Sequence, residues 1–296
     1  MKIHNFRLFG IRCFEDTGDI PADPKCNIFV GKNNAGKSTL LKAIIGLQSY
    51  PFDGIDVRRA PLGRSFFSVR LIGIRPGDYL ESDWNRIKGS VRASYIYNGD
   101  LPPYSDDSHV RATTNKSLFA PTRPHHTIVP FLAKRKAVQF SNDVSLSSQS
   151  SLDGTLATLY SRIDLLATAG HPDHNRFLAA ANQIIGLPIT TRASTTGKVA
   201  GYYFDRDTFV TLDRMGDGVS EMAALIVELC TERNKIFVLE EPETNLHPRG
   251  LKALMAMVRE ASEHNQFFIA THSNVVVREL GGVNGGKVVT AQVVCG

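Results

Sequence analysis

The sequence has no apolar run of the roughly 18 residues that a membrane-crossing helix needs. Its first residues, MKIHNFRLFGIRCF, lack the continuous apolar stretch of a secretory leader. Cysteine is sparse. Cys13, Cys26, Cys230 and Cys295 are scattered without C-x-x-C spacing, which excludes the usual zinc sites and a disulfide framework. Sustained heptads are missing, which excludes a long coiled coil, and no segment repeats. Neither sign of charge dominates: 34 Lys and Arg against 29 Asp and Glu leave a net +5, which permits a nucleic-acid partner without demanding one. The remaining expectation is a cytoplasmic, reduced, globular chain of 296 residues, with no membrane partner and room for one large domain or two smaller ones.

What is present begins with FVGKNNAGKSTLL, residues 29–41. It fits G-x-x-x-x-G-K-[ST] from Gly31 to Ser38, with an apolar strand, CNIFV, before it and a helix, TLLKAIIGLQ, after it. Gly31 and Gly36 let the backbone of Lys32, Asn33, Asn34 and Ala35 turn its N–H groups toward a phosphate, beside the positive end of the helix. Lys37 would reach the β- and γ-phosphates, Ser38 would ligate Mg²⁺, and Thr39 would add an α-phosphate contact. Pro51 and Gly54 are expected to end the helix.

Farther along, KIFVLEEPETNLHP, 235–248, delivers Glu240 and Glu241 at the end of a buried strand, the edge where open α/β sheets hold ligands. Glu240 is the expected acidic partner of Mg²⁺, and Glu241 the group that orients or deprotonates an attacking water. QFFIATHS, 266–273, ends another apolar strand on His272, placed to hydrogen-bond a γ-phosphate. In RMGDGVSEMAAL, Gly216, Asp217 and Gly218 open a helix that includes Ser220, whose exposed N–H groups could grip a phosphate, such as one held by a second copy.

Between these motifs, SFFSVRLIGI, SVRASYIY, TIVPFLA, ITTRAS and VAGYYFD read as strands. TLATLYSRIDLLATAG, HNRFLAAANQIIGL and VSEMAALIVELCTERN read as helices. Residues 98–126 read as a long exposed excursion or hairpin, and the Ser-rich 141–154 as a mobile loop. Alternating strands and helices predict an α/β fold with a mixed or parallel sheet flanked by helices. Residues 1–60 and 205–296 would form the nucleotide-binding core, and 61–204 an inserted helical and β subregion.

The order of these motifs resembles the ATP-binding-cassette type of ATPase, on the branch that contains RecF, the SMC proteins and the OLD family. FVGKNNAGKSTLL is similar to that branch's Walker A, with Asn33-Asn34-Ala35 suiting the OLD and RecF side. VLEEPETNLHP is similar to Walker B with its D-loop, ATHS to the H-loop, and MGDGVSEM to the signature sequence. Two positions depart from the pattern: the usual Ser-Gly-Gly is Gly216-Asp217-Gly218, and the usual Walker B aspartate is Glu240. Gln139 is the candidate Q-loop glutamine.

The resemblance implies ATP and Mg²⁺ as cofactors and ATP hydrolysis as the activity. It implies a homodimer in which Gly216, Asp217, Gly218 and Ser220 act on the partner's nucleotide. It further implies control of an effector, either a separate chain or a C-terminal nuclease domain lying outside this sequence, in anti-phage defence. A RecF-type repair clamp on double-stranded DNA and an ATP-assembled scaffold with little turnover are the alternatives. Arg58, Arg59 and Arg64, then Arg86, Lys88 and Arg92, then Lys134, Arg135 and Lys136 would carry DNA if they share one face. His125, His126, His171 and His174 are expected to be loop histidines.

Overall fold

The computed structural model describes residues 1–48, 64–74, 89–98, 109–113, 117–120, 126–132, 158–195, 197–281 and 286–290. The chain opens on β1 (Lys2–Ile11), β2 (Phe14–Asp16), β3 (Ile20–Pro21) and β4 (Cys26–Val30), followed by α1 (Lys37–Ile45). Then come β5 (Ser65–Ile74), β6 (Gly89–Asn98), β7 (His109–Thr113), β8 (Ile128–Phe131), α2 (Leu159–Ala167) and α3 (His174–Ala180). The remainder is β9 (Thr190–Ser194), β10 (Gly197–Tyr203), β11 (Phe209–Thr211), α4 (Asp217–Thr231), β12 (Ile236–Glu240), α5 (Pro248–Ala261), β13 (Gln266–Thr271), α6 (Asn274–Leu280) and β14 (Lys287–Thr290).

The apolar strands CNIFV, IFVLE and QFFIAT build a five-stranded parallel sheet in the order β14-β4-β13-β12-β8. Being covered on both faces, these strands need apolar residues on each, and alternate side chains enter two separate cores. Ile28, Phe237, Leu239, Phe267 and Ile269 pack with α2 to α6. Phe29, Val238, Phe268 and Ala270 pack with α1 and with a second, mixed sheet ordered β2-β1-β5-β6-β7, with β3 on β1. The edge-to-face pairs of Phe6 with Phe29 and Phe268, both with centroids 6.2 Å apart, join the two sheets. A third sheet, β11-β10-β9, flanks α2, where Lys198 and Thr191 both bond Asp164.

Two buried glutamines tie segments distant in sequence. Gln266 accepts from the N–H of Ile3 and donates to its carbonyl, each at 2.8 Å. Gln48 accepts from the N–H groups of Thr127 and Ile128 at 2.8 and 2.7 Å, seating β8 at the sheet edge.

The structure differs from the sequence expectations in three places. Of residues 61–204, expected as an inserted subregion, the described strands β5 to β8 belong to the core sheets: β5 to β7 extend the sheet built on β1 and β8 extends the parallel sheet. Residues 98–126 are not an exposed excursion throughout: 109–113 pair in parallel with β6, and Leu118 and Phe119 are fully buried. Their polar neighbours masked two apolar anchors. Helix α1 stops at Ile45, with the N–H of Gly46 bonding the Lys42 carbonyl, so it ends before Pro51; Pro51, Gly54 and residues 141–154 lie outside the described residues.

Candidate nucleotide site

Strands β4, β13 and β12 are parallel neighbours, so their C-terminal ends place Gly31, Thr271 and Glu240 along one edge. The loop leaving β4 turns through left-handed backbone at Asn34 (φ 64°) and Gly36 (φ 86°). Gly36 is required there twice over. Its φ suits a residue without a side chain, and a Cβ would run into the Phe14 ring and lie 2.9 Å from Cys13 Sγ. Helix α1 then starts at Lys37, with its first N–H groups aimed at the loop.

The result is a cleft of about 470 Å³ lined by residues 33–39 with Glu240, Glu241, Ala270, His272, Arg12 and Cys13. That volume lies in the range of small-ligand sites. Lys37 Nζ donates to the carbonyls of Gly31 (2.8 Å) and Lys32 (3.0 Å) and lies 2.9 Å from His272 Nε2. An ammonium has only protons to give, so with Lys37 charged Nε2 is the accepting side of this contact. Burial pulls the Lys37 pKa below its ordinary value, opposed by the charges of Glu241, Glu240 and Glu243. A phosphate arriving here would supply the anion that burial leaves wanting.

Ser38 Oγ donates to Glu240 Oε1. A hydroxyl and a carboxylate in contact are the hard oxygen donors that Mg²⁺ takes alongside phosphate oxygens, so the donor set fits that ion. Glu241 holds a left-handed φ of 49°, a conformation that costs about 1–3 kcal/mol for a residue with a side chain. Bonds from its N–H to the Ala270 carbonyl (2.8 Å) and from Thr244 N–H to its own carbonyl (3.0 Å) keep it there. Its Oε1 lies 3.7 Å from His272 Nε2.

Of the residues the sequence named, Asn33 to Thr39, Glu240, Glu241 and His272 line one cleft, while Gly31 and Lys32 meet it through their carbonyls, which accept from Lys37. Gly216, Asp217 and Gly218 are elsewhere, at the start of α4. A Cβ on Gly218 would lie 2.7 Å from that of Asn245, so the turn rests on the loop after β12. Ser220, named with them, faces inward: it is buried and donates to the Leu212 carbonyl at 3.3 Å.

Among the basic clusters, Arg92 is buried between Asp19 and Ser68 rather than displayed, and Arg64 lies over the Phe9 ring. Arg58, Arg59, Arg86, Lys88, Lys134, Arg135, Lys136, His125 and the candidate Gln139 lie outside the described residues. His126 is no loop histidine; it is buried 3.4 Å from Glu232. His171 and His174 make turn and helix-end bonds, and no metal-binding cluster is found among the described residues. Arg12 and Cys13 were missed because their place in the cleft depends on the turn between β1 and β2 folding back over the loop. Nothing local to GIRCF signals it.

Residues 26–278 match the family described as "AAA domain, putative AbiEii toxin, Type IV TA system", and residues 1–47 match a second AAA domain family. The chain belongs to the first of these families of AAA-type ATPase domains. The fold of this ATPase domain is that of an SMC head. It superposes on the SMC head bound to the C-winged helix domain of ScpA with a TM-score of 0.64 at 13% identity, covering 98% of this chain and 94% of that one. The SMC head with an extended coiled coil, bound to the C-terminal domain of ScpA derived from Pyrococcus furiosus, gives 0.60 at 12% identity, covering 97% and 92%. No curated protein matches the chain. No helix among the described residues is long and apolar enough to cross a membrane.

Proposed function

We propose that this ATPase domain binds and hydrolyses ATP with Mg²⁺, and that it is an OLD-like switch which dimerises around ATP to control an effector in anti-phage defence. The observation that carries the catalytic part is the Ser38–Glu240 contact, set between the Lys37 loop on one side and Glu241 with His272 on the other. Ser38 and Glu240 would hold Mg²⁺, which neutralises phosphate charge. Lys37, released from the loop carbonyls, would bind the β- and γ-phosphates, Glu241 would orient the attacking water, and His272 would bond the γ-phosphate.

The turn at 216–218 does not line the cleft of its own chain, which supports a role on a partner's nucleotide. With Ser220 turned inward, that role falls to the backbone N–H groups at the start of α4. The family description, which names a toxin–antitoxin system, suits an effector in a separate chain. Steady-state phosphate release by the wild type and Glu241→Gln, with and without duplex DNA, tests the reading. Turnover that the variant abolishes supports it, and DNA stimulation would shift the reading toward a clamp on DNA. Equal turnover in both proteins would remove Glu241 from the mechanism.

A further inference from the structure

Glu243 stands two residues beyond the proposed base, and none of the functions assigned so far involves it. Its Oε1 accepts two hydrogen bonds from the end of β13: from Thr271 Oγ1 at 2.7 Å and from the backbone N–H of His272 at 2.9 Å. Thr271 is fully buried, and with its proton given to Glu243 its oxygen is free to accept the N–H of Ser273 at 2.9 Å. The other oxygen of Glu243 is buried without a hydrogen-bond partner among the described residues. Its polar contacts therefore go to the two donors that fix where β13 stops and His272 begins.

Glu243 is itself held in the turn after β12. Leu246 N–H bonds its carbonyl at 3.2 Å, and the same turn anchors Glu241 to Ala270. One carboxylate thus joins the loop that carries Glu241 to the strand end that carries His272. We propose that Glu243 is a positioning residue that sets the His272 imidazole against Lys37 and Glu241. This inference rests on the ATPase reading for its effect on turnover, but not for its effect on His272.

The alternative is a turn-stabilising carboxylate with no bearing on the imidazole, and a double-mutant cycle with an independent structural readout separates the two. Glu243→Ala leaves the Thr271 hydroxyl and the His272 N–H without their acceptor, so the turn can pivot and carry the ring away. Expected is a fall of roughly tenfold or more in kcat, since small displacements at a reacting centre are costly. ATP affinity, read with a fluorescent analogue, should stay within about threefold. Glu243→Gln, whose amide oxygen can still accept both bonds, should recover most of that loss. In a His272→Ala background, Glu243→Ala should cost little more, because the two act as one unit.

The nucleotide-free protein supplies the second readout: the His272 Hε1 resonance should move in Glu243→Ala and return toward the wild-type position in Glu243→Gln. An unmoved resonance, or losses that simply add in the cycle, would overturn the positioning role. A wild type without ATP turnover whose His272 resonance still responds to Glu243→Ala would overturn the ATPase reading and leave the positioning role standing.

Discussion

Glu241 is the residue on which most depends, and its left-handed backbone at φ 49° is held by the bond to Ala270. Glu241→Gln keeps that backbone and removes only the carboxylate proposed as the base. Expected is unchanged ATP affinity with turnover lower by about 10²- to 10⁴-fold in a phosphate-release assay. Lys37→Ala should instead lose ATP binding itself, because the ammonium is the cleft's buried cation. The thiols offer a second residue-scale check. Burial pushes Cys26 and Cys230 up to about 12, from an ordinary value of 9.0. In folded protein at pH 8 both should resist iodoacetamide, whereas half-buried Cys13, lining the cleft, should react, and Mg²⁺ and ATP should slow it. A Cys295→Ser background keeps the count clean. The same shifts set a pH dependence. As pH rises above about 9 the unfolded chain releases these two protons and the folded chain keeps them, so the folded state binds more protons and their contribution to stability falls between about 9 and 12. A smaller drop in the urea midpoint between pH 8 and 10 for Cys26→Ala than for wild type would show it.

Among the elements, the loop between β4 and α1 is the least tolerant. Gly36→Ala would combine a φ of 86° with collision against Phe14 and Cys13, so the loop must shift. ATP binding measured by calorimetry should fall to near nothing while the circular dichroism spectrum stays that of the wild type. The parallel sheet behind the loop is a matter of stability. Phe237 in β12 stacks on Phe267 in β13 with centroids 4.9 Å apart, both fully buried. Phe237→Ala should cost roughly 3–5 kcal/mol of unfolding free energy, read as a lower urea midpoint. These elements were legible because each carries its own pattern. Apolar runs such as IFVL and FFIA announce two-sided burial, and the glycines of the loop announce a turn. The strand of 109–113 and the buried pair Leu118 and Phe119 were not legible, because the strand depends on pairing with β6 and the pair on the Leu47 carbonyl, which accepts both their N–H groups from far off in sequence.

For the whole molecule, Gly216 to Gly218 stand outside the lining of their own chain's cleft, which is what a second copy would resolve. Glu241→Gln with ATP and Mg²⁺ should sediment as a dimer and revert to monomer with ADP, and Gly218→Arg, which cannot fit beside Asn245, should remain monomeric with ATP. A monomer under both nucleotides would leave the turn without a trans role. The SMC-head fold settles the architecture at 12–13% identity and says nothing of partners. By itself the sequence determined most of the cleft's lining: the loop from Asn33 to Thr39, the acidic pair Glu240 and Glu241, and His272, because each motif is contiguous and its spacing fixes its geometry. Tertiary structure alone decided which residues join them. Arg12 and Cys13 arrive by the folding back of a hairpin, Glu243 acts through the strand beside it, and Ser220 and Arg92 turn inward. In each case the deciding contact is made by the packing of two elements, to which no local pattern of residues points.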